Sequence, residues 1–137
     1  MNVLKFILLA VCGLFALAAS AQKKEYILIL DKANHKMIAY DYLSLNSITS
    51  VATGDDPHEI VTTPDGGTAY ISNPVLNGNG HRIDVIDLRQ IKARQAIDTR
   101  PFYIPHGLVY RDSMLWFTAQ GSKAIAGYNT LQQQVSG

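Results

Sequence analysis

Cysteine is almost absent from this sequence. Cys12 is the only cysteine among 137 residues, and it lies in an apolar N-terminal stretch. That stretch follows the basic Lys5 and ends in Ala19-Ser20-Ala21, a small-x-small pattern typical of signal-peptide cleavage. We therefore predict that residues 1–21 are a signal peptide and that the mature protein is secreted or periplasmic. Without cysteine, the mature chain can form no disulfide, zinc–thiolate site, covalent haem link or thiol nucleophile.

An uncleaved membrane anchor is the alternative interpretation of the N-terminus. A membrane-spanning helix needs roughly 20 apolar residues, and the run from Phe6 to Ala18 is shorter. A lipoprotein signal at Cys12 fits poorly, because Val11 precedes the cysteine and the apolar run continues beyond it. We therefore expect no membrane segment after signal cleavage.

The sequence also lacks an excess of either charge. Of 12 Lys and Arg, the predicted signal peptide contains Lys5, which leaves 11 against 11 Asp and Glu. No basic cluster is present beyond Lys23-Lys24. Binding to duplex nucleic acid or anionic lipid requires a basic surface, so we predict neither partner.

What the sequence does contain is a repeated unit. Landmarks of three kinds recur 42 to 48 residues apart, which matches the roughly 40–50 residues of a four-stranded propeller blade. They are the aromatic-led, β-prone quartets that begin at Tyr26, Tyr70 and Trp116, the Asp or Asn at Asp41, Asp87 and Asn129, and the Pro-His pairs at His58 and His106.

Local patterns favour strands throughout the repeated region. No window after residue 22 has the apolar spacing of a helix, and Pro64-Asp65-Gly66-Gly67 predicts a tight hairpin turn. We predict an all-β fold in which residues 22–137 form an incomplete β-propeller domain of about 2.5 four-stranded antiparallel blades. We name the strands of a blade A to D from the channel outward. The first blade has strands B, C and D near 26–31, 36–43 and 47–53, and the second has A to D near 58–63, 68–73, 82–88 and 92–99. The third has A to C near 106–111, 114–119 and 123–129.

Both predicted end blades are incomplete, since the first lacks strand A and the third lacks strand D. A blade is covered only by its neighbours, and propellers close with typically four to eight blades. We therefore expect the chain to be the N-terminal part of a longer protein, with further C-terminal blades needed for closure. An intact small β-sandwich is the alternative, but the internal repeat disfavours it.

The stretch PHEIVTTPDGGTAYISN, followed by HRIDVID, resembles the YVTN-type β-propeller repeat. Tyr70-Ile71-Ser72-Asn73 stands where that family has its name-giving quartet, and PHGLVYRDSMLWFTAQGSKAIAGYN also resembles streptogramin-lyase blades. The resemblance covers residues 26–131 and implies a propeller, but it implies no single activity, because such repeats occur in lactonases, lyases and noncatalytic proteins. The departures are Glu59, where Gly is usual, and Arg111-Asp112-Ser113 in place of PDG.

The predicted layout places all four histidines on one face. In this layout the first residues of the A strands and the loops between strands B and C lie on the same face. We therefore expect His58 and His106 at the mouth of the central channel, and His35 and His81 farther out. Glu59 follows His58, and the long loop 74–80 carries Asn79. We predict a ligand site formed by these residues: His58, Glu59, His106, Asn79 and His81.

Two interpretations of the Pro-His pairs remain open. In the first, the pairs are a structural feature that was duplicated with the repeat, and each ring bonds to a neighbouring loop. In the second, His58 and His106 form a divalent-metal site. His35 and His81 fit a role in turns better.

The leading functional prediction is a noncatalytic binding or interaction scaffold for a small-molecule or protein ligand. The alternative is a metal-assisted lactonase or lyase in which His58, His106 and Glu59 are the catalytic candidates. Single-stranded nucleic-acid binding through exposed aromatic side chains is a third class, which the balanced charge disfavours. No cofactor beyond that divalent metal is predicted.

Overall fold

The structure is a computed structural model that describes residues 24–137, so the predicted signal peptide lies outside the described residues. Within this range the regular elements are β-strands and two single 3₁₀ turns, and no α-helix is present. No helix among these residues is long and apolar enough to cross a membrane. The strands form three antiparallel sheets, which confirms the all-β prediction.

The first sheet contains three strands in sequence order. They are β1 (Tyr26–Asp31), β2 (Lys36–Asp41) and β3 (Ser47–Ala52), which correspond to the predicted strands B, C and D. A 3₁₀ turn over Lys32–Asn34 joins β1 to β2, and His35 closes it in the left-handed conformation with φ 49°. His35 is therefore a turn residue, as predicted.

The second sheet is the middle one and has all four strand positions. It contains β4 (Ile60–Thr62), β5 (Thr68–Asn73) and β6 (Arg82–Asp87), paired in that order. The predicted fourth strand is divided into two short segments, β7 (Lys92–Ala93) and β8 (Ile97–Asp98), and both pair with β6.

The third sheet differs from the prediction. Besides β9 (Pro105–Arg111), β10 (Met114–Ala119) and β11 (Ala124–Asn129), it contains a fourth strand, β12 (Gln134–Ser136). This strand pairs with β11, so the third sheet is complete. The sequence between them, TLQQ, contains neither Gly nor Pro, and this absence of turn residues hid the hairpin from sequence analysis.

The sheets pack face to face, and the middle strand β5 is buried on both sides. Side chains alternate along a strand, so Ala69 and Ile71 face the first sheet while Tyr70 faces the third. The first interface is built around Met37, Ala69, Ile71, Ile86 and Leu88, and the second around Tyr70, Ile83, Ile97, Leu115, Phe117, Ala119 and Ala126.

The Asp or Asn that recurs at the end of strand C has the same structural role in all three sheets. Asp87 accepts hydrogen bonds from the backbone N–H groups of Arg89 and Gln90. Asp41 and Asn129 do the same for the residues two and three positions after them. Each side chain closes a turn into the next strand, which explains why the spacing recurs.

Asp87 should stabilise the protein through its charge as well as through this turn. It is nearly buried and pairs with Arg94, whose hydrogen bond holds the pKa of the Asp87 carboxyl below its ordinary value. A folded-state pKa that is lower than the unfolded one stabilises the fold above the unfolded pKa, and this stabilisation is lost as the pH falls through the folded pKa.

We therefore expect Asp87→Asn, which keeps the turn acceptor as Asn129 does, to melt below the wild type at pH 7. The gap in melting temperature should narrow towards pH 3, and Asp87→Ala, which also loses the turn bonds, should melt lowest at pH 7. Thermal unfolding, monitored by circular dichroism at both pH values, measures the melting temperatures of the wild type and the two variants. A gap between wild type and Asp87→Asn that stays constant with pH would contradict the charge contribution.

Packing between the sheets gives a second prediction. Ile71 is fully buried between the first and second sheets. Ile71→Ala should lower the free energy of unfolding by about 2–5 kcal/mol, because it removes buried methylene groups and leaves a cavity. Thr62→Ala on the same sheet is exposed and should stay within about 0.5 kcal/mol of the wild type. Urea unfolding measures both, and a similar cost for the two variants would contradict the assignment of this interface.

Candidate functional site

Each Pro-His pair forms an irregularity at the start of its innermost strand. In the third sheet, Phe117 faces Leu108 and Ala119 faces Pro105, so His106 and Gly107 together oppose the single residue Thr118. This is a β-bulge, a feature that redirects a side chain at the end of a strand. The Thr118 hydroxyl accepts a hydrogen bond from the backbone N–H of Gly107 at 2.9 Å and stabilises the bulge.

The middle sheet repeats this arrangement. Ser72 bonds through its carbonyl to the N–H of His58 and through its N–H to the carbonyl of Glu59. The Ser72 hydroxyl accepts from the backbone N–H of Glu59 at 3.2 Å, as the Thr118 hydroxyl does for Gly107. The repeated sequence therefore encodes a repeated bulge.

The two bulges bring the histidines together. The ring centroids of His58 and His106 lie 4.2 Å apart, and the rings are tilted by 57°. The predicted convergence of these two side chains from adjacent blades therefore occurs in the structure, although contact alone does not assign a function to them.

Glu59 links the two inner strands. Its Oε2 accepts a hydrogen bond from the backbone N–H of Leu108 at 3.2 Å, and its Oε1 lies 3.6 Å from Nδ1 of His106. The equivalent position in the third sheet is Gly107, which has no side chain to make such a contact. Glu59, the departure from the usual glycine, thus connects the second sheet to the third beside the histidine pair.

Lys32 completes this group from the first sheet. Its Nζ lies 3.1 Å from Nδ1 of His58 and 2.5 Å from Oδ1 of Asp56. An ammonium group has hydrogens and no lone pair, so Lys32 donates and Nδ1 of His58 accepts. The hydrogen bond from Lys32 also holds the pKa of the Asp56 carboxyl below its ordinary value. We call Lys32, Asp56, His58, Glu59 and His106 the channel-mouth cluster, after the position that the sequence predicts for the two histidines.

Asn79 and His81 lie in a separate cleft. The cleft has a volume of about 320 Å³ and lies between the loop that carries Asp55 and the loop before β6. Nδ1 of His81 lies 2.9 Å from the carbonyl oxygen of Asn79, which can only accept, so Nδ1 donates. This contact holds the His81 ring against its own loop, directly before β6. The five predicted ligand residues therefore divide into two sets, and they do not form one site.

The metal hypothesis gains no further ligands from the structure. Within residues 24–137 no group of three or more His, Cys, Asp or Glu side chains has an arrangement that could hold a metal ion. In the channel-mouth cluster, Lys32 donates to the lone pair on Nδ1 of His58, and the positive charge of Lys32 opposes a second cation beside it.

Lys32, Ser72 and Thr118 also belong to this region, although none of them is among the site residues predicted from the sequence. A signal existed for the hydroxyl residues, because Ser72 and Thr118 hold the same position in their quartets and each faces a Pro-His pair. No sequence signal indicated Lys32, because it lies 26 residues from His58 and meets it only when the first sheet packs against the second.

Comparison with solved structures establishes the fold class. The chain is similar to hydrazine synthase from Kuenenia stuttgartiensis, with a TM-score of 0.72 and 23% identity, over 82% of this chain and 33% of that one. It is also similar to the dihydro-heme d1 dehydrogenase NirN, with a TM-score of 0.72, 8% identity and coverage of 85% and 25%. For apo AztD from Citrobacter koseri the TM-score is 0.66, with 13% identity and coverage of 84% and 31%.

These similarities show that the described residues form part of a β-propeller. The chain spans a quarter to a third of the length of these proteins. No profile of a known protein family matches the sequence, and no curated protein matches it. At such low identities the likeness concerns the fold alone, and the function has to be argued from the sites.

The contact between Glu59 and Leu108 can be tested directly. Glu59→Ala removes the acceptor for the N–H of Leu108 and should lower the free energy of unfolding by about 1 kcal/mol. Glu59→Gln keeps an acceptor oxygen and should lose less than half of that. Urea unfolding measures both variants, and an equal loss for the two would show that the charge of Glu59, not its hydrogen bond, stabilises the interface.

Proposed function

We propose that this protein is a secreted or periplasmic YVTN-type β-propeller that acts as a binding scaffold through its channel-mouth cluster. The observation that supports the proposal most is the convergence of His58 and His106 at 4.2 Å through two equivalent bulges. Further blades would complete the propeller around this cluster. The ligand is a small molecule or a protein segment that enters the mouth of the channel.

The polarity of the cluster favours binding through hydrogen bonds. With Lys32 bonded to Nδ1, neutral His58 carries its hydrogen on Nε2 and can donate it. Oε1 of Glu59 lies 3.6 Å from Nδ1 of His106, and its negative charge favours the hydrogen on that nitrogen, which leaves Nε2 of His106 as an acceptor. The mouth therefore offers a donor and an acceptor on adjacent rings. These two groups can orient a polar ligand.

A metal titration separates this proposal from a metal-dependent enzyme. We expect the full-length protein to bind Zn²⁺ only weakly in isothermal titration calorimetry, because Lys32 engages His58. Lys32→Met frees Nδ1 and removes the opposing charge, so it should bind Zn²⁺ more tightly than the wild type. Tight stoichiometric binding by the wild type, lost in both His58→Ala and His106→Ala, would contradict a scaffold without metal.

Ligand binding itself can be tested by affinity capture. A partner retained by the full-length protein should be lost from the double variant His58→Ala His106→Ala. The matched control is Asp65→Ala, which changes an exposed turn at the opposite end of the same inner hairpin. Equal retention by the double variant would contradict the use of the channel mouth.

A second candidate is a lactonase or lyase that uses the same cluster. The observation that favours it is the pair of Glu59 and His106, since a carboxylate beside Nδ1 orients an imidazole whose Nε2 can act as a general base. Hydrolysis of γ-butyrolactone by the full-length protein, lost in His106→Ala and weakened in Glu59→Gln, would establish this function in place of the scaffold. Absence of turnover would leave no support for this enzyme.

A further inference from the structure

A larger cleft than the one beside His81 lies between the middle sheet and the third sheet. Its volume is about 680 Å³, and it is bounded by β6 and the divided fourth strand on one side and by β11 and β12 on the other. Both sheets that form it are among the described residues, and none of the channel-mouth cluster lines it. We call it the interblade cleft.

The interblade cleft lies where the fourth strand of the middle sheet is interrupted. In the first sheet the strand at the same position, β3, is continuous over six residues. In the middle sheet β7 ends at Ala93 and β8 begins at Ile97, and residues 94–96 between them line the cleft. The irregular segment therefore contributes side chains to a concave surface, where a continuous strand would follow its neighbour.

Tyr70 brings to this cleft a hydroxyl that has no partner in the described part of the chain. The residue is only 6% exposed and lines the cleft. Among residues 24–137, Oδ1 of Asn73 is the only side-chain polar atom that is both buried and unpartnered, so the Tyr70 hydroxyl is accessible. Burial raises the pKa of Tyr70 to about 12. The hydroxyl therefore keeps its hydrogen at neutral pH and can both donate and accept.

Five further polar side chains of the lining are neutral and have no side-chain hydrogen bond to another described residue. They are the hydroxyls of Thr68 and Tyr128 and the amides of Gln95, Gln133 and Gln134. Every hydroxyl and every amide can both donate and accept hydrogen bonds. A ligand rich in hydroxyl groups has the same property, so it can pair with each of these side chains.

The charged groups of the lining are paired within the protein. Arg94 bonds to Asp87, and Arg100 bonds through Nε and Nη2 to Asp98. The bonds from Arg100 lower the pKa of the Asp98 carboxyl to about 2, so this pair stays ionised at neutral pH. Two guanidinium groups thus face two carboxylates, and no net charge favours an anion or a cation. The remaining N–H groups of both arginines can donate to neutral oxygen atoms.

From these groups we propose that the interblade cleft binds a neutral oligosaccharide, whose hydroxyl groups exchange hydrogen bonds with Tyr70, Tyr128 and the three glutamine amides. The neutrality of the ligand follows from the internal pairing of the charges, and its hydroxyl groups match side chains that both donate and accept. The volume of the cleft lies within the range of about 300–1,000 Å³ for small-molecule sites. The proposal does not depend on the function of the channel-mouth cluster.

The test is a titration of ¹⁵N-labelled full-length protein with trisaccharides of different charge, monitored by NMR. Cellotriose, maltotriose and triacetylchitotriose are neutral, trigalacturonate is anionic, and the deacetylated chitotriose is cationic. We expect at least one neutral trisaccharide to bind with a Kd of about 1 mM or tighter. It should shift the side-chain amide signals of Gln95, Gln133 and Gln134. The charged trisaccharides should bind no more tightly than the best neutral one.

A pair of tyrosine variants identifies the group responsible. Tyr70→Phe removes a hydroxyl that makes no bond within the described chain, so it should weaken binding about fivefold without lowering the melting temperature. Tyr110→Phe is the matched control. The Tyr110 ring stacks on Tyr70 with centroids 5.7 Å apart, but its hydroxyl lies 3.5 Å from that of Thr130 and Tyr110 does not line the cleft. This variant should bind the trisaccharide as the wild type does.

Three results would overturn the proposal. They are no binding of any neutral trisaccharide at about 10 mM, tighter binding of a charged trisaccharide than of every neutral one, and equal binding by Tyr70→Phe and the wild type. Tighter binding of trigalacturonate would identify the two guanidinium groups as an anion site instead. A failure at the interblade cleft leaves the metal titration and the capture experiment at the channel mouth unaffected, so the two proposals can fail separately.

Discussion

The structure depends on the burial of both faces of its middle sheet. A single antiparallel sheet usually has one apolar and one solvated face, whereas β5 is buried from Ala69 through Asn73. Such a strand cannot be stable in an isolated blade, because each face needs a neighbouring sheet to remove its side chains from water. The packing of the first and third sheets against the second therefore holds the chain together. It also sets the distance between the innermost strands of neighbouring sheets.

The channel-mouth cluster is a consequence of that packing. His58 and His106 belong to different sheets, and their 4.2 Å separation follows from the way the inner strands β4 and β9 approach each other. β9 is an edge strand of its sheet, and Glu59 accepts a hydrogen bond from the N–H of Leu108 on that edge. A glycine at position 59 would leave that N–H without this partner. Glu59, which stands where the repeat usually has glycine, is thus the residue that joins two repeats.

Much of the fold could be predicted from periodicity. The three quartets and the Asp41, Asp87 and Asn129 series predicted the strand order, because an alternating side-chain pattern and an Asx turn are local features. Strand β12 could not be predicted, since its hairpin has no turn-forming glycine or proline and is held by Asn129 and by pairing with β11. The division of the fourth strand of the middle sheet into β7 and β8 likewise has no marker in the sequence.

The sequence by itself determined the repeat, most of the strands and the recurrence of the Pro-His pairs, since all of these are properties of short segments. Only the tertiary structure decided which side chains meet. Lys32 reaches His58 across 26 positions, Glu59 reaches Leu108 across 49, and the amide of Asn73 is oriented by Asp84 on the neighbouring strand. Contacts between sheets depend on how whole blades pack. Whether the buried Oδ1 of Asn73 has a hydrogen-bond partner depends on every group that surrounds it. Neither can be derived from local sequence.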